Sequence, residues 1–247
     1  MSKSSAESIP TNTLWEIIRY ALVAIAGGLF IWYYWFYTPL TFSSQEYTGQ
    51  TAGTPYIVNI PQFPDNADWT KLTEEIQNRL DALAPPDPAT LKKAIPVWST
   101  DISATEGYAV DCIAELLEEQ KITDYLIEVG NCVRCKGKKS KDADWNIGIE
   151  KPPLEASKEF PGLQQNVVLR DQSLATKSGS LPVNAALELR SVAVVADDCF
   201  CADAWATAMF LLGESGIESA NQHGIAVLVL YRRGENVEET FSKHWRK

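Results

Sequence analysis

Ala202-Asp203-Ala204-Trp205-Ala206-Thr207 sets a carboxylate and a hydroxyl four residues apart. On a helix, positions i and i+4 lie one turn apart on the same face, so Asp203 and Thr207 point the same way. Two hard oxygens in that arrangement suit Mg²⁺ better than a soft metal. The same spacing also serves a plain helix start, with Asp203 as a cap and Thr207 bonded back to a carbonyl. Spacing alone leaves both readings open. A second candidate is Leu174-Ala-Thr-Lys-Ser-Gly179, read as a turn that cradles a phosphate through main-chain amides or as an ordinary turn. The third is Ser103-Ala-Thr-Glu-Gly-Tyr108, a polar loop entering the N-terminus of a helix, where anions are favoured and simple caps are common.

The five cysteines are Cys112, Cys132, Cys135, Cys199 and Cys201, an odd number that leaves at least one without an internal partner. Cys132-Val-Arg-Cys135 has the spacing of half a zinc site or of a redox pair. It lacks a second CxxC or a histidine pair, because the only histidines are His223 and His244. Net charge is −10, and no basic stripe could track a duplex, which argues against nucleic-acid binding. An acidic chain that handles an anion needs a metal or helix N-termini to offset repulsion.

The elements that must position these residues follow from periodicity. Residues 56–60 read as a strand and 69–83 as an amphipathic helix carrying Leu72, Ile76, Leu80 and Leu83, broken at Pro85-Pro86-Asp87-Pro88. A second helix is expected over 107–120. Strands are expected over 124–133, 145–150, 166–169 and 191–196, then a helix over 203–212 stopped by Gly213, and a buried strand over 225–231. Several strands follow one another with turns only, which points to an α+β, mixed-sheet layer fold. Roughly two hundred residues suffice for one well-buried core.

Residues 20–37 run YALVAIAGGLFIWYYWFY without a charge. At about 1.5 Å per residue they nearly span a bilayer core, and the aromatic cluster suits its interface. The reading is a tail over 1–19, one transmembrane helix over 20–38, a tether over 39–55 and a domain over 56–247. Lys3 and Arg19 precede the span, and no lysine or arginine follows it until Lys71, which favours an extracytoplasmic domain held to the lipid bilayer.

Taken in order, these segments resemble the FAD:protein FMN transferases, the ApbE-like family with its T-fold-type domain. Asp101-Ile-Ser-Ala-Thr-Glu-Gly-Tyr-Ala-Val-Asp111 resembles the family's D-L-S-x-x-x-[KE]-G-Y-A-x-D loop and helix, one residue short. Tyr125-Leu-Ile-Glu-Val-Gly-Asn131, Trp145-Asn-Ile-Gly-Ile-Glu-Lys-Pro152 and Leu174–Gly179 are similar to its Y-L-V-x-x-G-G, W-R-[IV]-[GA]-I-x-K-P and A-[TS]-S-G elements. Ala202–Thr207 fits A-D-A-x-x-T, and Thr51–Tyr56 resembles the opening M-G-T-x-Y with Ala52 in place of Met. The resemblance implies Mg²⁺ held by Asp203 and Thr207 with the carbonyls of Ala206 and Thr105. It also implies FAD as substrate, contacted by Ala52, Ser103, Tyr108, Thr176 and Ser178, and a flavoprotein acceptor as partner. Two blocks of the family pattern have no counterpart: a helical stretch between Leu83 and Asp101, and the S-H-x-x-D-P-x-T-G hairpin after Gly179. A non-catalytic Mg²⁺- or nucleotide-binding accessory protein of the same fold is therefore the alternative.

Overall fold

The computed structural model describes residues 15, 19–20, 22–29, 41–95, 104–151, 162–182, 188–234 and 236–246. The chain divides into two units, Met1–Thr41 and Phe42–Lys247. In the first, residues 22–29 are helical, and Tyr20, Leu22, Val23, Ile25 and Leu29 are exposed. Among the described residues no helix is long and apolar enough to cross a membrane. The expected span over 20–38 is therefore not supported, and its residues 21 and 30–38 lie outside the described residues.

The second unit is built on an eight-stranded sheet of order β1-β2-β3-β4-β7-β8-β9-β10. Its strands are β1 (Phe42–Thr51), β2 (Thr54–Pro64), β3 (Tyr125–Val129), β4 (Cys132–Lys136), β7 (Gln172–Pro182), β8 (Glu188–Ala196), β9 (Ala226–Arg233) and β10 (Asn236–Phe241), and β5 (Trp145–Glu150) pairs with β6 (Leu163–Leu169) as a separate hairpin. Every neighbouring pair is antiparallel rather than mixed. Most connections are hairpins, and where helices intervene the chain re-enters the sheet at the end it left. Val195 at the end of β8 pairs with Ala226 at the start of β9.

Residues 42–51, read from the sequence as tether, form the edge strand β1, and the expected strand over 124–133 is two strands folded at Gly130-Asn131. Gly130 takes a positive φ of 57°, which a two-residue hairpin requires and glycine adopts without strain.

The helices are α1 (Trp69–Asp81), α2 (Pro88–Ala94), α3 (Thr105–Glu119), α4 (Cys199–Leu212) and α5 (Gly216–Gln222). In α1, Leu72, Ile76 and Leu80 recur at helical spacing and are buried, while the Asp68 side chain accepts from the Lys71 amide at 3.0 Å. The Pro85–Pro88 break holds a start signal as well: Asp87 caps α2, with Pro88 in its first turn.

One core lies between the helices and the main sheet, where Tyr56, Val58, Tyr125, Ile127, Val129, Val192 and Val194 meet Ile76, Val110, Ile113, Trp205 and Met209. A second core lies on the opposite face, where Trp145, Ile149, Val167 and Leu169 of the β5–β6 hairpin pack on Val133, Cys135, Leu174, Leu228 and Leu230. Alternation along β9 feeds both: Val227, Val229 and Tyr231 go to one, Leu228 and Leu230 to the other.

Candidate functional site

Asp203 meets the start of α3 beside the β3–β4 turn and β7. Gly107 of α3 makes this possible. A Cβ there would stand 2.3 Å from the Cys199 carbonyl oxygen and 2.8 Å from Asp203 Cβ, so only glycine lets the two helices approach this closely. Asp111, one turn further on, ties the same helices together. Its Oδ1 accepts from the Cys199 amide at 3.0 Å, its Oδ2 from the Phe200 amide at 2.7 Å, and Arg134 of β4 holds Oδ1 at 2.6 Å.

A buried carboxylate at the N-terminus of α4 satisfies amides that no turn of helix can reach. Burial raises the Asp111 pKa, and the two amides and the guanidinium offset only part of that rise. Asp111→Asn turns one acceptor into a donor that faces a donor. It is expected to lower unfolding free energy by about 1–3 kcal/mol, read from thermal melts followed by circular dichroism; a melt indistinguishable from wild type would contradict this role.

Asp203 is 1% exposed and has a partner on each oxygen. Oδ2 accepts from the Gly107 amide at 3.0 Å, and Oδ1 lies 2.9 Å from Lys177 Nζ. The same ammonium is 3.7 Å from Glu106 Oε2, and the Cys132 thiol reaches that oxygen at 3.9 Å. Ala104, which precedes α3, provides no capping side chain, so the acceptor for Gly107 comes from α4 instead.

The expected pair is half assembled. Thr207 is on α4 one turn from Asp203, but its hydroxyl donates to the Asp203 main-chain carbonyl at 3.0 Å, the back-bonding alternative of the sequence reading. Thr105 opens α3, and Ala206 is buried on α4 beside Thr207. Tyr108 packs edge-on against Phe200, ring centres 5.9 Å apart. Ala52 lies at the tip of the β1–β2 hairpin with a φ of 48°. Ser103 lies outside the described residues.

The structure corrects the phosphate-cradling turn over 174–179. These residues are part of β7, paired to β4 through Ala175 and to β8 through Ser178. Strand alternation sends Lys177 to the helix face, while Thr176 and Ser178 line a cleft of about 370 Å³ on the other face, together with Asn131, Asn146 and Glu150. Sequence reasoning missed Gly107 and Asp111 as parts of the site, and counted Lys177 in a phosphate-cradling turn without its strand or its pairing with Asp203. The direction of Lys177 was hidden by neighbours that read as a turn. The other two lie within the quoted helix motif, but their work is done on a distant segment.

Glu106, Cys132 and Asp203 offer ligand atoms within 4.8 Å of one another. For Cys132 the hydrogen bond with Cys199 favours the thiolate, yet burial and the negative Asp203 outweigh it and the pKa rises. Burial also raises Cys199 well above an ordinary thiol. Both thiols therefore hold their protons more tightly than an ordinary cysteine. Each Asp203 oxygen already faces a donor, so the residues as they stand do not fit a divalent ion.

Burial works against the charge on Lys177, but Asp203, by charge and hydrogen bond, and Glu106 outweigh it and its pKa lies above 10.5. A base whose folded pKa is raised contributes stability that is complete below the unfolded value and is lost as pH climbs through the folded one. The melting temperature of wild type is therefore expected to fall above pH 10.5 relative to Lys177→Met. Parallel curves for the two proteins across that range would refute the pairing.

The chain is similar to known proteins in sequence and in overall structure. The FAD:protein FMN transferase of Haemophilus influenzae is 29% identical over 164 residues, covering 58% of this chain and 46% of its own length. The same enzyme of Vibrio cholerae is 27% identical over 175 residues, covering 64% and 52%. The chain thus spans about half the length of the curated relatives it matches. Among solved structures, the flavin transferase ApbE from Vibrio cholerae superposes with a TM-score of 0.64 at 19% identity, covering 82% of this chain and 98% of that one. The apo flavinyl transferase ApbE of Pseudomonas stutzeri gives 0.65 at 20% identity, covering 83% and 96%. These likenesses show the fold, an ApbE-like α+β domain on a largely antiparallel sheet. The model of the ApbE family matches residues 51–181, more than half of the sequence, and the chain belongs to the ApbE family.

Proposed function

We propose that this chain handles FAD as its relatives' name describes, transferring the FMN part of FAD to a hydroxyl of a flavoprotein acceptor. The observation that carries the reading is the corner where the Lys177 ammonium, held by Asp203 and Glu106, lies beside the start of α3 in a family whose curated members are FAD:protein FMN transferases. In the reaction a threonine or serine oxygen of the acceptor attacks the FMN phosphorus. The phosphorus–oxygen bond to the AMP half breaks, AMP leaves with that electron pair, and the hydroxyl proton passes to solvent or to a base.

The site's own residues supply position and charge. Lys177 offers a point charge to the pyrophosphate, and the positive end of the α3 dipole adds to it. Asp203 holds the ammonium in place, and Asp111 and Gly107 hold Asp203 against α3. Dependence on Mg²⁺ remains an expectation of the family resemblance and is no part of this reading. A membrane anchor over residues 20–38, with the domain on the extracytoplasmic side, belongs to the proposal on sequence grounds alone, and release of the chain from membranes by an alkaline carbonate wash would overturn the anchor.

The test incubates the full chain with FAD and a flavoprotein acceptor, in Mg²⁺ and in EDTA, and follows covalent flavin fluorescence on the denatured acceptor together with AMP. Equal amounts of labelled acceptor and AMP are expected. FAD bound without transfer supports the second reading, an accessory binding protein, which is favoured by the engagement of both Asp203 oxygens. No binding of FAD overturns both.

A further inference from the structure

We propose that Lys177 is the resident cation of this site: its ammonium, held between Asp203 and Glu106, stands where a divalent ion would have to bind, so a phosphate or pyrophosphate ligand is met by an amine instead of a metal. Three observations converge on this assignment. The Lys177 nitrogen is 2.9 Å from Asp203 Oδ1, the oxygen that Gly107 leaves open. It is 3.7 Å from Glu106 Oε2, so it bridges two of the three groups that together come nearest to a metal cluster among the described residues. The third, Cys132, turns its thiol toward the same Glu106 oxygen and so presents a proton to the corner, not a lone pair.

The position of Lys177 is fixed by the fold. Its register opposite Val192 on β8, with Thr176 donating from its amide to the Asn131 carbonyl at 3.0 Å, aims the side chain at the helix layer. A side chain displaced from there would leave Asp203 buried without its counter-charge, which is strongly disfavoured.

An ammonium carries three donors on a flexible stem and acts on phosphate as a point charge. Two of those directions are taken by Asp203 and Glu106, and the side chain keeps 28% of its surface exposed, enough for an anion to reach it. A divalent ion on Asp203 Oδ1 would have to displace Lys177 and pay the repulsion between two cations.

For its ligand, this inference rests on the proposed phosphate-handling role of the corner, but its test needs neither FAD nor an acceptor. Mn²⁺ binding to the full chain is followed by electron paramagnetic resonance. Wild type and Asp203→Asn are expected to bind Mn²⁺ alike, because Asp203 is closed to metal. Lys177→Ser is expected to gain one saturable site, tighter than anything in wild type by about tenfold or more, that disappears in the Lys177→Ser, Asp203→Asn double variant. Inorganic pyrophosphate is expected to bind wild type in EDTA, and Lys177→Ser to bind it about tenfold more weakly until Mn²⁺ is added.

Mn²⁺ binding by wild type that Asp203→Asn abolishes overturns the proposal with no lysine variant needed, as does pyrophosphate binding to wild type only when Mn²⁺ is present. Absence of FMN transfer, by contrast, sinks the functional reading and leaves both titrations to be read as they stand.

Discussion

Asp203→Ala is expected to lower unfolding free energy by about 3 kcal/mol, the lower end for breaking a buried ion pair, because Lys177 keeps some access to water. For a unit of this size that is a fall in melting temperature of about 6–12 °C. The Gly107 amide, buried inside the helix contact, loses its acceptor, and the Lys177 ammonium loses its nearer carboxylate and keeps only Glu106 at 3.7 Å. Asp203→Asn keeps an acceptor for the Gly107 amide but turns a donor toward the Lys177 ammonium, so it should cost less than Asp203→Ala, about 1–2 kcal/mol. The comparison separates the hydrogen bond from the ion pair, and urea titrations of both variants provide it. Equal stability of Asp203→Ala and wild type would mean that the carboxylate is not held as described.

Gly107→Ala is the sharper steric test. In an ordinary helix interior alanine is favoured over glycine by about 1 kcal/mol. Here the added methyl would meet main-chain atoms of α4, with Cys199 O at 2.3 Å and Cys199 C at 2.7 Å, and backbone cannot swing aside as a side-chain tip can. The two helices must part, which carries Asp203 away from the Gly107 amide and Asp111 away from the α4 N-terminus. The expected outcome is a net loss of about 3 kcal/mol, the upper end for overpacking, together with weaker FAD or pyrophosphate binding. A stabilised Gly107→Ala protein would falsify the close approach outright.

The sequence made the helical spacing of Asp203 and Thr207 legible, since period and capping are local properties of a chain. It also carried the strands rich in β-branched residues, such as Ser191–Ala196, because their apolar run is visible without a partner. Edge strands were harder. Residues 42–51, FSSQEYTGQT, are polar and only partly covered in the fold, so nothing in their composition separates strand from tether. The Gly130-Asn131 turn, by contrast, had a readable signal, a glycine and an asparagine between two apolar runs.

The site was legible in its residue types and not in its pairings. Lys177 sits among Thr, Ser and Gly, which favour a turn locally, and only pairing with β4 and β8 makes that stretch a strand and gives its lysine a direction. No local pattern could announce that Asp111 serves a helix that begins at Cys199, 88 residues later.

Strand β7 has one further bearing on ligands. Lys177 addresses the layer of helices, whereas Thr176 and Ser178 open toward the hairpin β5–β6 on the far side. A hydrogen-bonded sheet admits nothing the size of a nucleotide between its strands. A single molecule that touches the ammonium and both hydroxyls must therefore straddle the rim of the sheet at the Gly130-Asn131 bend.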